Sequence, residues 1–214
     1  MKKRFVAAIT AAAMALSMPM SASAAWKKDA AGNWYNIDSN GVKATGWLKE
    51  GNTWYYLEQN GVMKTGWKLY NGTWYYLKPN GAMATGWQKI NGVWYYFKDW
   101  GGMATGWQKV KDVWYYLKAS GEMATGWITV GESRYFLDAS GAMQTGLIEI
   151  DGKVYYFGED GAAVTGKVRL DGKTYTFAET GEAAGRRVPQ PDKAFDSAGN
   201  AAEITVTGGY SGGG

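Results

Sequence analysis

The 214-residue chain contains no cysteine, no histidine and only four prolines. Without cysteine it has neither a disulfide staple nor a thiol nucleophile. Without histidine it lacks His-based catalytic and metal sites, and the side chain that normally titrates near neutral pH. Carboxylates remain, but Asp151, Asp160 and Asp171 each precede a glycine at turn positions, where Asp is expected for backbone reasons. Catalysis is the function class this composition most resists, so a non-enzymatic protein without a cofactor is expected. Long apolar runs are scarce as well. The stretch from Phe5 to Leu16 is shorter than the about 20 residues a membrane helix requires, and no insertion in a membrane is expected.

That stretch belongs to a different pattern. Lys2-Lys3-Arg4, the apolar run and Ala22-Ser23-Ala24 form the three parts of a cleavable secretory signal. Residues 1–24 are therefore read as a signal peptide and the exported product as starting near Ala25, secreted to the cell wall or cell surface. Loss of Lys2, Lys3 and Arg4 lowers the formal charge from +4 to +1. A charge that small, on an exported protein, argues against a nucleic-acid partner despite aromatics interleaved with lysines.

What the chain has in abundance is periodic. Thr-Gly-Trp recurs every twenty residues at Trp47, Trp67, Trp87, Trp107 and Trp127, then fades to Leu147 and Lys167. In the same register, Trp54-Tyr55-Tyr56 recurs at Trp74, Trp94 and Trp114, followed by Arg134-Tyr135-Phe136, Val154-Tyr155-Tyr156 and Thr174-Tyr175-Thr176. A short fixed period signifies a solenoid in which each unit buries its apolar face against its neighbours. Asn71-Gly72, Asn91-Gly92, Asp151-Gly152 and Asp171-Gly172 mark tight hairpins, with a returning strand such as Thr73 to Lys78. The fold class is therefore all-β, a solenoid of eight stacked β-hairpins. Trp-rich repeats occupy 25–127 and Trp-poor repeats 128–182. The Pro/Gly-rich tail, 183–214, is expected to be largely disordered or a cap, with one strand at Ile204-Thr205-Val206.

Alternation along a strand places Tyr55 with Leu57 on one face and Trp54 with Tyr56 on the other. The Tyr55 position is Tyr in all eight repeats and the Leu57 position always Leu, Ile or Phe, as a packed core demands. The Trp54 face changes to Arg134, Val154 and Thr174, in step with loss of the Thr-Gly-Trp rings. Since the hairpin pattern continues without them, those tryptophans are surplus to the fold and suggest a ligand. Aromatic rings with few carboxylates suit a quaternary ammonium held by cation–π attraction or a sugar face held by stacking.

The combination of Trp-Tyr-Tyr-Leu and Gly-x-Met-x-Thr-Gly-Trp at period twenty resembles the choline-binding, or cell-wall-binding, repeats of Gram-positive surface proteins and phage lysins, over about residues 25 to 180. The resemblance implies a left-handed β-solenoid with choline caged between neighbouring repeats. It implies three complete cages: Trp47 and Trp54 closed by Tyr76, Trp67 and Trp74 by Tyr96, and Trp87 and Trp94 by Tyr116. A fourth, Trp107 and Trp114 with Phe136, loses the phenol; a fifth, Trp26 and Trp34 with Tyr56, has an extra residue in its hairpin. Met63, Met83, Met103 and Met123 lie in the matching connectors, as cage walls or gap-fillers. Trp127 faces Arg134, whose fixed charge should exclude a quaternary ammonium. The implied partner is a choline-bearing teichoic or lipoteichoic acid. Glucan or host-glycan binding is the alternative; the rear repeats resemble carbohydrate-recognising repeats, though structural spacing or capping is their simpler role, and a structural spacer or adhesin that forms a homodimer through its terminal repeats is the third reading.

Overall fold

The computed structural model describes residues 24–184 and 190–205. All but the last residue of the expected signal lie outside these, as do Arg186, Arg187, Pro189, Val206 and the Gly-rich finish. Every regular element among the described residues is a strand. Four antiparallel hairpins come first: β1 (Ala25–Lys28) with β2 (Trp34–Ile37), β3 (Gly46–Glu50) with β4 (Thr53–Leu57), β5 (Gly66–Tyr70) with β6 (Thr73–Leu77), and β7 (Gly86–Ile90) with β8 (Val93–Phe97). Four more follow: β9 (Gly106–Val110) with β10 (Val113–Leu117), β11 (Gly126–Val130) with β12 (Ser133–Leu137), β13 (Gly146–Ile150) with β14 (Lys153–Phe157), and β15 (Gly166–Leu170) with β16 (Lys173–Phe177). The fold is thus an all-β solenoid of hairpin repeats, advancing twenty residues per repeat from β3 onward. The chain divides into two compact units. One runs to Thr85 and takes in Asp99–Gly102; the other comprises Gly86–Lys98 and the chain from Met103.

The turns follow from their residues. Asn71 and Gly72 have φ of 46° and 76°, the paired left-handed conformation whose twist matches a two-residue hairpin. Lys111 and Asp112 adopt the same conformation, 48° and 66°, with no glycine to relieve it. Within each unit, main-chain bonds tie a connector to an earlier hairpin. In the first unit Met63 and Met83 N–H donate to the carbonyls of Trp34 and Trp54, both at 2.8 Å. In the second, Met123 and Met143 N–H donate to Trp94 and Trp114 at 2.8 and 2.9 Å. Thus the backbones of Trp34, Trp54, Trp94 and Trp114 are fixed by the repeat that follows each of them.

The core is a column of one residue per repeat. Leu57 and Leu77 in the first unit, and Phe97, Leu117, Leu137, Phe157 and Phe177 in the second, are at most 2% exposed. The connector methionines form a second stacking contact. A Cβ at Gly81 would lie 2.2 Å from Met63 Sδ, and one at Gly121 2.2 Å from Met103 Sδ, so each thioether packs against a bare glycine backbone. Met143 packs the same way on Gly161 although its repeat has no tryptophan pair, which marks these side chains as part of the stack.

Part of the tail forms strands. β17 (Ala183–Ala184) pairs with β16, and β18 (Lys193–Phe195) joins β13 in parallel, Ile148 opposite Lys193 and Ile150 opposite Phe195. β19 (Ala201–Ala202) returns antiparallel to β18. Ile204 and Thr205 lie outside any strand. The turn between β18 and β19 copies the connector of a repeat. Asp196 N–H donates to the Asn200 carbonyl and Gly199 N–H to the Asp196 carbonyl, as Asp138, Ala142 and Gly141 do between 2.8 and 2.9 Å. Asp196 Oδ1 accepts from Ala198 and Asn200 N–H, as Asp138 Oδ1 does from Ser140 and Ala142. The tail is therefore a half-repeat, and Phe195 sits in the core position before its turn. It covers Phe136, Ile148 and Phe157, which together with Phe195 form one buried cluster.

Candidate functional site

Register places the aromatic rings of a hairpin on one face. Trp47 lies opposite Tyr56 and Lys49 opposite Trp54, so two indoles, a phenol and an ammonium emerge on the same side. The two indoles meet edge to face, as the quadrupoles of aromatic rings favour. Trp47–Trp54 and Trp67–Trp74 centroids are 6.4 and 6.1 Å apart with interplanar angles of 87° and 90°. Trp87–Trp94 and Trp107–Trp114 repeat this at 6.3 and 6.4 Å, both 88°. The second member of the pair is the exposed one. Trp74, Trp94 and Trp114 retain 43%, 40% and 41% of their surface and Trp54 is half-buried, so four indoles present a face to solvent from a fixed frame.

Where the closing rings lie was less simply readable. Tyr76, Tyr96 and Tyr116 pack against the Thr-Gly-Trp indoles of their own hairpins, Trp67, Trp87 and Trp107, at 5.3, 5.1 and 5.1 Å. From the next repeat, the ring directly on Trp47 is Tyr75, at 4.9 Å, and those on Trp87 and Trp107 are Tyr115 and Tyr135, both at 4.8 Å. The tyrosine position assigned to the core is thus also the floor under the Trp47, Trp87 and Trp107 indoles. Tyr75 is 3% exposed, and burial raises its pKa together with the neighbouring Tyr70. Sequence reasoning missed Tyr70, whose ring is 6.1 Å from Trp47 and 5.9 Å from Tyr56. The signal was available, because the corresponding position in the other repeats is Glu50, Ile90, Val110, Val130, Ile150 or Leu170 and is aromatic in none of them.

Two of the expected closing rings are not open. Phe136 is fully buried, its centroid 5.7 Å from Phe195 of the half-repeat, and it serves the core instead of the Trp107–Trp114 pair. Tyr56 carries Lys68 Nζ 4.2 Å from its centroid. Burial works to lower the Lys68 pKa, but its 2.9 Å bond to Glu58 and the Tyr56 and Glu58 interactions outweigh it, so the pKa is raised and the ammonium stays charged. In the same first repeat Trp26 lies 5.0 Å from Tyr55 and its Nε1 donates to Glu50 Oε2 at 2.5 Å, while Lys28 stands 5.7 Å from Trp34. The rings of the fifth expected cage already have cations and partners of their own. At Trp127 the Arg134 guanidinium stands 4.1 Å over the indole.

The comparisons match this geometry. Residues 26–65, 50–85, 64–105, 84–125 and 144–187 match the choline-binding repeat, and 125–143 the putative cell wall binding repeat. Among solved structures, CbpJ of Streptococcus pneumoniae is similar with a TM-score of 0.69 and 39% identity, over 74% of this chain and 57% of that one. Choline binding protein F of Streptococcus pneumoniae gives 0.67 and 38%, over 75% and 57%. The choline-binding domain of CbpL from Streptococcus pneumoniae gives 0.57 and 29%, over 85% and 98%. The matches thus cover less than two thirds of the first two relatives' lengths. Among curated proteins none matches the chain.

Proposed function

The chain belongs to the choline-binding repeat family, and from that premise we propose that it is a non-catalytic wall-binding module that holds choline on its tryptophan pairs. The observation that carries this reading is the recurrent edge-to-face pair, one indole braced by a tyrosine of its neighbour and the other turned to solvent. A trimethylammonium cannot be neutralised and donates no strong hydrogen bond, so aromatic faces are its natural partner. Trp47–Trp54, Trp67–Trp74 and Trp87–Trp94 carry the binding, with Tyr76 and Tyr116 closing the first and third. The Trp107–Trp114 pair is weaker because Phe136 faces the core.

Each desolvated ring contributes roughly 0.5–2 kcal/mol. After the cost of immobilising a small ligand, one site has about millimolar affinity. A polymer bearing many cholines gains about 10² to 10⁴ by engaging several sites, which suits choline-decorated teichoic or lipoteichoic acid at the cell surface. Retention on a resin bearing quaternary ammonium groups, with release by free choline and not by sodium chloride at equal concentration, supports the reading. Release by both alike reduces it to ion exchange and overturns it.

A further inference from the structure

Two rings stand behind the Trp47–Trp54 pair at positions that are aromatic in no other repeat. Tyr70 is the first, 6.1 Å from Trp47 at an interplanar angle of 90° and 5.9 Å from Tyr56. Trp100 is the second, 6.1 Å from Tyr75, the phenol beneath Trp47. It takes a turn position that is Asn, Ser, Asp or Thr in the other connectors. Its indole lies on bare backbone, since a Cβ at Gly102 would be 2.0 Å from Trp100 Cζ3 and Cη2. The other connectors carry Val, Ala or Glu in place of Gly102. One connector has thus gained a large ring and given up the side chain beneath it, which seats an indole against Tyr75. Accordingly, Tyr75 is 3% exposed, whereas Tyr115 and Tyr135, under Trp87 and Trp107, are half-buried.

We propose that Tyr70 and Trp100 are positioning residues that make Trp47–Trp54 a tighter choline site than Trp87–Trp94. The proposal rests on the choline reading of the tryptophan pairs and ranks two of them. Neither ring has to touch the ligand, because Tyr70 braces Trp47 directly and Trp100 acts through Tyr75. Edge-to-face contacts favour one relative orientation of two rings. An indole held in this way has fewer orientations to lose when a cation is seated on the pair, so affinity rises without a new ligand contact. In the second unit Trp87 rests on Tyr115, but Val110 replaces Tyr70 and Ser140 replaces Trp100. That pair has the floor without the extra bracing.

The test follows the indole N–H resonances of Trp54 and Trp94 in the full chain during a choline titration. Trp54 is expected to reach half-saturation at about threefold to tenfold lower choline than Trp94. Tyr70→Val, which installs the side chain of Val110, should bring Trp54 to the level of Trp94 and leave Trp94 unchanged. Tyr70→Phe keeps the ring and should keep the difference. Trp100→Asn should weaken Trp54 in the same direction but less, and Val110→Tyr should tighten Trp94. Equal affinities at the two sites in the unaltered chain overturn the proposal and leave the choline reading standing. A Tyr70→Val chain with a lowered urea midpoint and an unchanged Trp54 affinity also overturns it, since Tyr70 would then serve the fold alone. Failure of choline to shift either resonance removes the choline reading itself.

Discussion

The guanidinium of Arg134 lies 4.1 Å over the indole of Trp127, and its Nη1 donates to the Thr180 carbonyl at 2.7 Å. A cation fixed by the protein thus occupies the ring face that a ligand would use. Arg134 stands where Trp54, Trp74, Trp94 and Trp114 stand in earlier repeats. Arg134→Trp should restore an indole pair with Trp127 and add about one choline site of millimolar affinity. Isothermal titration of the variant beside the parent checks this; an unchanged stoichiometry means that Arg134 is not what silences the repeat.

The Lys111-Asp112 turn holds two side chains in the left-handed region, at φ 48° and 66°. That conformation costs L-residues roughly 1–2 kcal/mol each, less for Asp, and nothing comparable for glycine. Lys111→Asn with Asp112→Gly should therefore stabilise the second unit by about 1 kcal/mol, since the exposed Lys109–Asp112 pair that is lost contributes little. Urea denaturation with an unchanged slope and a raised midpoint is the expected readout.

Phe195 fastens the half-repeat to the core through Phe136. Phe195→Ala leaves a cavity over Phe136, Ile148 and Phe157 and should cost about 3 kcal/mol of stability in the second unit. Choline binding at Trp54, in the other unit, should be unaffected. Thermal unfolding and a choline titration of the same variant separate the two effects.

Acid should loosen this half-repeat. Side-chain and main-chain hydrogen bonds from Asn200 hold the Asp196 pKa below its ordinary value of 3.8. A depressed carboxylate contributes stability that is present above the unfolded pKa and is lost as pH falls through the folded one. The loss therefore lies below pH 3.8, and hydrogen exchange at Ala198 and Asn200 N–H should accelerate there. Binding, by contrast, should stay flat between about pH 5 and 8, because choline has a permanent charge and the chain has no histidine.

Much of this was legible in the residues, and for definite reasons. Strand alternation and the Asn-Gly turns specify the hairpins, because a register slip of one residue would exchange Trp54 and Tyr55 between faces. The Leu57 column follows from the same alternation, and so does the meeting of Arg134 with Trp127. Three things were not legible. Tyr75 packs on Trp47 because one hairpin's indole face lies on the next hairpin's tyrosine, a relation between repeats that strand period does not encode. Phe136 differs from Tyr116 by one hydroxyl, yet it is buried because a distant segment supplies Phe195. That segment's Phe195-Asp196-Ser197-Ala198-Gly199 does follow Leu137-Asp138-Ala139-Ser140-Gly141, but the nearby Pro189 and Pro191 and the absence of Trp and Tyr concealed it.

The most direct test of the account is a calorimetric titration of the chain with choline, beside Trp54→Ala and an equal concentration of glycerol as the uncharged control. Saturable millimolar binding at about three sites, one for each of the pairs at Trp54, Trp74 and Trp94, with one site lost in Trp54→Ala, is the expected result. Heat that never saturates, or a stoichiometry that Trp54→Ala leaves intact, would contradict the claim that the tryptophan pairs hold choline.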